Sequence, residues 1–147
     1  MQPLLTPAPG ACLLLGLAPG ESFLAEKGAF LYSTGPYSFQ HRTEMGSARH
    51  WAAKLLAGKS LTYALYTAQA PLRMAFAPKR QGAEIVCLDV SAERPLLLEP
   101  SLHLGRSPGL GLHFASQHWK TALNDGVKVR TEGSGLLCFF GHGQVRS

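Results

Sequence analysis

The sequence predicts an all-β fold, and three observations carry the prediction. Glycine (16 residues) and proline (10 residues) are spread along the whole 147-residue chain and punctuate short apolar runs. The runs between them, such as residues 60–68, are rich in Leu, Tyr and Thr, side chains that fit a pleated surface. Two runs, 83–90 and 136–140, are apolar on both faces, as strands packed between two layers are. The length sits at the mode for one domain, so 1–147 is read as a single β domain with one or two short helices.

The elements follow in order. Residues 11–17 form the first strand, closed by the turn Ala18-Pro19-Gly20. Strands at 23–25 and 29–34 lie either side of Gly28, and Gly35-Pro36 breaks the chain before the strand 37–42. Residues 47–57 leave the β pattern. Ala48, Trp51, Ala52, Leu55 and Leu56 recur at helical spacing, with Ser47 as N-cap and Gly58 as stop, which predicts a short amphipathic helix. After the strand 60–68, the strands 72–77 and 83–90 read as a hairpin joined by 78–82 and turning at Gly82. Because both faces of 83–90 are apolar, that strand is expected to be central in a two-layer arrangement.

Further on, residues 112–123 show weaker helical spacing through Ala115, Trp119 and Leu123, a second candidate helix. Val127-Lys128-Val129-Arg130 alternates as a half-exposed strand should. The buried strand 136–140 is bracketed by Gly133-Ser134-Gly135 and by Gly141-His142-Gly143, where positive φ or close backbone approach accounts for the glycines.

Hydrophobic residues are 46% and charged residues only 16%, a balance that argues against disorder and suggests surface covered by another subunit. A homo-oligomer is therefore expected. The net charge of +5 admits nucleic acid as a partner, and the densest basic stretch is Arg42, Arg49, Lys54 and Lys59. These residues are dispersed rather than clustered, so nucleic-acid binding is the second reading and not the leading one. Cys12, Cys87 and Cys138 each sit in an apolar run. An odd count without CxxC spacing implies neither a disulfide framework nor a zinc site, and a reducing cytoplasm fits. The apolar run Leu13-Leu14-Leu15-Gly16-Leu17 lacks the preceding basic residues of an export signal, and nothing reaches membrane-spanning length.

No catalytic centre is readable. Gly105-Arg106-Ser107-Pro108-Gly109 matches the G-x-S-x-G nucleophile elbow, but that elbow uses the N–H following the serine, and Pro108 has none. Among His41, His50, His103, His113, His118 and His142 there is no H-x-H and no H-E-x-x-H, and no Asp or Glu lies between Ser101 and Leu123. A metal-dependent enzyme built on a histidine cluster is the third reading. No catalytic residue, metal ligand or cofactor is assigned.

Five short motifs, taken together, resemble one known family. Leu17-Ala18-Pro19-Gly20-Glu21 resembles an opening L-x-P-G-E turn, and Gly28-Ala29 the G-A step after it. The stretch from Trp51 through Gly58-Lys59-Ser60-Leu61 is similar to a helical turn into a G-E-S strand start, with Lys59 in place of the acid. Residues 74–90 match two strands about a Pro-to-Gly turn, ending in Leu88-Asp89. Gly133-Ser134-Gly135, then 136–140 and Gly141, resembles a G-x-G-strand-G element. The family is the group of bacterial proteins of unknown function that includes the eukaryotic altered-inheritance-of-mitochondria proteins, with a fold like the tryptophan RNA-binding attenuation protein. The resemblance implies a β-sandwich or double-stranded β-helix-like fold, self-association, and no established activity. Without a matching run of lysines and arginines, RNA binding is not implied. The leading functional expectation is thus a non-enzymatic β module acting in assembly or interaction.

Overall fold

A computed structural model describes residues 1–7, 10–43, 62–80, 82–114 and 129–141. They form strands β1 (Gln2–Leu5), β2 (Leu13–Leu17), β3 (Ser22–Glu26), β4 (Phe30–Ser33), β5 (Tyr37–Thr43), β6 (Thr62–Ala68) and β7 (Leu72–Phe76). These are followed by β8 (Glu84–Val90), β9 (Leu97–Leu98), a 3-10 turn at Pro100–Leu102, β10 (His103–Arg106), β11 (Leu110–Phe114), β12 (Val129–Gly133) and β13 (Gly135–Gly141).

The strands make three antiparallel sheets. A six-stranded sheet runs β5-β6-β3-β10-β13-β8, a four-stranded sheet β1-β2-β7-β4, and a three-stranded sheet β11-β12-β9. Period-two alternation sets the layers. Leu13, Leu15 and Leu17 of β2 and Leu72, Met74 and Phe76 of β7 turn inward from the four-stranded sheet. They meet Phe23, Ala25, Ala64, Tyr66, Leu104, Cys138 and Phe140 on one face of the six-stranded sheet. On its other face, at the β13–β8 end, Leu137 and Val90 pack with Leu110, Leu96 and Leu98 beneath the three-stranded sheet. The chain is therefore an all-β, sandwich-like arrangement of layers.

The turns carry the chain between layers. Glu21 N donates to Ala18 O at 3.0 Å, closing the Pro19-Gly20 turn, and Gly20 has φ 85°, the left-handed value a type II turn requires at that position. This turn passes the chain from β2 in one sheet to β3 in the other.

Four expectations need correction. Residues 78–82 do not close a hairpin. β7 registers with β2 and β4, whereas β8 registers with β13, so the connection crosses between layers. Strand β8 is at the edge of its sheet rather than central. Its two apolar faces arise because Ile85 and Cys87 meet one core while Val90 meets the other. Of the second candidate helix, Leu112, His113 and Phe114 are strand, paired with Thr131, Arg130 and Val129; residues 115–123 and the helix expected at 47–57 lie outside the described residues. Finally, Cys87 and Cys138 form a disulfide, their Cα atoms 4.2 Å apart, leaving Cys12 free. No sequence spacing could signal this pair, since the β8–β13 register alone sets Cys138 opposite Cys87.

Candidate interaction site

Among the described residues, strand β5 ends the six-stranded sheet with no further strand beside it. It pairs with β6 from Tyr37↔Ala68 to Thr43↔Thr62 without a break in register. Residues Ser38, Phe39, Gln40, His41 and Arg42 are all exposed, so both faces of the strand are open. Phe39 is the exposed end of an aromatic run that begins in the core. Phe23 packs on Phe76 (5.3 Å between centroids), Phe76 on Tyr66 (5.6 Å), and Tyr66 on Phe39 (6.3 Å, near-parallel). His41 meets Phe39 edge-on at 5.4 Å. Phe39 itself is 57% exposed, an unusual position for a large apolar ring.

A second apolar feature crosses the outer face of the four-stranded sheet. Leu4 lies opposite Leu14, Leu14 opposite Ala75, and Ala75 opposite Tyr32, one row through all four strands. Leu4 and Tyr32 remain exposed at its ends, while Ala75 is buried.

On the inner side of β10 the chain buries a cation. Arg106 is fully buried, its Nε donating to Leu110 O at 2.8 Å and its guanidinium carbon 4.8 Å from the Tyr63 ring centre. Its Nη1 lies 3.3 Å from His103 Nε2. A guanidinium can only donate, so Nε2 accepts and the ring proton resides on Nδ1. That Nδ1 is buried without a hydrogen-bond partner among the described residues. Burial, and then the Arg106 charge, holds the His103 pKa well below the usual histidine value, so the ring is neutral. Nothing in the pattern His103-Leu104-Gly105-Arg106 marks Arg106 as interior. A β-bulge between His103 and Gly105 shifts the alternation and leaves all four residues buried.

Glu26, at the end of β3, is half-buried, and its carboxyl is pushed up to about 7 by desolvation against the opposing pull of Lys79. His113 and Glu132 pair at 2.7 Å on the surface of the three-stranded sheet. Strand pairing supplies this carboxylate, which local sequence did not.

Among the other sequence-derived candidates, Arg42 is exposed on β5 opposite Tyr63, while Arg49, Lys54, Lys59 and Gly58 lie outside the described residues. His50, His118 and His142 lie outside them too. Pro19 and Gly20 form the first turn, Gly28, Gly82 and Gly133 have positive φ, and Gly141 ends β13. A Cβ on Gly135 would run into the Ser107 hydroxyl, so a side chain has no room there. Ser107 is a turn residue. Its N–H donates to Leu136 O at 2.9 Å, and its Oγ accepts from Leu136 N at 2.9 Å. Among the described residues no three His, Cys, Asp or Glu converge to hold a metal ion, and no helix is long and apolar enough to cross a membrane.

These features define a class: a layered antiparallel β module whose open features are a strand edge and exposed apolar side chains. The family model described as mitochondrial biogenesis AIM24 matches residues 6–147, and the chain belongs to that family. In its fold the chain is similar to protein SPYM3_0169 of Streptococcus pyogenes, with a TM-score of 0.70 at 19% identity over 97% of this chain. It spans 65% of that protein's length. A search of the curated proteins finds no match.

Proposed function

We propose that the chain is a non-enzymatic, single-domain module that self-associates and acts in assembly or interaction. The observation that carries this reading is the set of large apolar side chains left in solvent on strands: Leu4, Leu31, Tyr32, Phe39 and Leu97, each 48% exposed or more. Two of them, Leu4 and Tyr32, end a continuous cross-strand row and Phe39 ends an aromatic run, so they are not isolated surface residues. The charged fraction of only 16% points the same way.

The layered sheets support a likeness to the tryptophan RNA-binding attenuation protein, and the family description supports a role in biogenesis rather than in a reaction. The reading also places the chain in the cytoplasm, a reducing compartment in which the Cys87–Cys138 bond of this structure is expected to be open. Alkylation of protein taken directly from cells reads its state, and a disulfide there would move the chain to an oxidising compartment. Sedimentation velocity on the full chain tests the assembly. A species larger than the monomer at micromolar concentration is expected, and a strict monomer overturns the reading. Single-stranded RNA titrated in parallel is expected to leave the sedimentation coefficient unchanged, while tight, salt-dependent binding would favour a nucleic-acid role.

A further inference from the structure

We propose that β5 is the contact between two copies of this chain, paired antiparallel about a two-fold axis at Gln40. The proposal rests on the assembly reading above and assigns it an interface. At a sheet edge every second residue turns its N–H and C=O away from the neighbouring strand. Along β5 that outer side meets no strand among the described residues, and the register to β6 is straight over all seven residues. Edges that reject a partner carry a proline, a bulge or few residues. Strand β1 has Pro3, β4 is bulged between Phe30 and Tyr32, and β9 has two residues. Strands β8 and β11 are straight, but only Glu84 and Asp89 of β8, and only His113 among the described side chains of β11, are exposed. Strand β5 combines a straight edge with an exposed aromatic ring.

The occupant follows from complementarity. An antiparallel copy of β5 repeats the same spacing of donors and acceptors, and an axis at Gln40 pairs all seven residues. Tyr37 then faces Thr43 of the partner subunit, and Phe39 faces His41 of the partner subunit, with the reciprocal contacts made by symmetry. The Phe39–His41 contact within one strand already shows these rings meeting edge to face. A cross-strand pair of the same type buries Phe39 on both sides of the axis. Arg42, the one permanent charge on β5, faces Ser38 of the partner subunit. An axis displaced to Arg42 would oppose two guanidinium groups. A single seven-residue ladder is a small interface, so the dimer is expected in the micromolar range.

The test uses the full chain and two exposed-site variants. Gln40→Lys sets two ammonium groups against each other on the axis, and it is expected to weaken the dimer about ten-fold or more, with the far-ultraviolet circular dichroism unchanged. Gln40→Cys is expected to give, under mild oxidation, a disulfide-linked dimer whose cross-linked peptide joins residue 40 to residue 40. If wild-type protein is a monomer throughout, both this proposal and the assembly reading fail. If an oligomer survives Gln40→Lys unchanged, or if the cross-link joins residue 40 to some other segment, the β5 interface is wrong and self-association stands.

Discussion

Replacing the buried Arg106 tests whether the interior of β10 is organised as described. In Arg106→Met the volume is kept and the charge removed. The variant loses the charged hydrogen bond to Leu110 O, worth about 1.5–3 kcal/mol. It also loses the desolvated contact over Tyr63, worth about 1–2 kcal/mol. Leu110 O and His103 Nε2 lose their donor. Against these losses the native state no longer carries a desolvated guanidinium, which returns part of the sum. A net loss of about 2–4 kcal/mol follows, and for a chain of this length it lowers Tm by roughly 10 °C. Urea unfolding followed by tryptophan fluorescence reads the difference. Arg106→Ala, which adds a cavity beside Tyr63, should lose about 1–2 kcal/mol more. Unchanged stability in Arg106→Met would show that relief of guanidinium desolvation offsets the lost contacts in full, and that Arg106 does not hold the interior of β10 together.

Further outcomes follow from other positions. Glu26 has a carboxyl raised to about 7, so it contributes stability that is full below about 4.5 and lost as pH rises through 7. Glu26→Gln is therefore expected to be more stable than wild type at pH 8, by about 1 kcal/mol after solvent screening, with the gap gone near pH 4.5; thermal unfolding against pH checks the sign. His103 has its pKa depressed, so its contribution is full above about 6.5 and falls as pH drops toward the folded value; unfolding between pH 7 and 5 in His103→Phe should lack that slope. Reducing Cys87–Cys138 frees a loop of sequence separation 51 and should cost up to about 4 kcal/mol, read as a lower Tm with dithiothreitol and confirmed by alkylation mapping. In Gly105→Ala the new Cβ meets the Phe23 ring and Leu24 O, so a loss of about 2 kcal/mol or more is expected by urea unfolding.

The strands were readable because their inward positions are apolar at period two and their ends carry Gly or Pro. The run 11–17 became β2, and 136–140 became the interior of β13. What local pattern cannot carry is which strand pairs with which. The 78–82 connection has the composition of a hairpin, but Leu72, Met74 and Phe76 face the shared core from one sheet and Ile85 from the other. The same gap hid the Cys87–Cys138 pair and the His113–Glu132 contact, both made by partners distant in sequence. Arg106 was hidden for a different reason: both faces of β10 are covered, and the bulge sets Arg106 on the Leu137 face instead of beside Leu104, so a charged side chain ends in the second core. Of the candidate interface, the strand 37–42 and Arg42 were legible. The exposure of Phe39 was not, since an aromatic ring in a strand is expected in the core.

Association of this β module with itself is read by amide hydrogen exchange at low- and high-micromolar concentration. Protection is expected to rise with concentration in peptides covering Tyr37–Thr43, while the amides of β13 are unchanged. Exchange independent of concentration along the whole chain would contradict it.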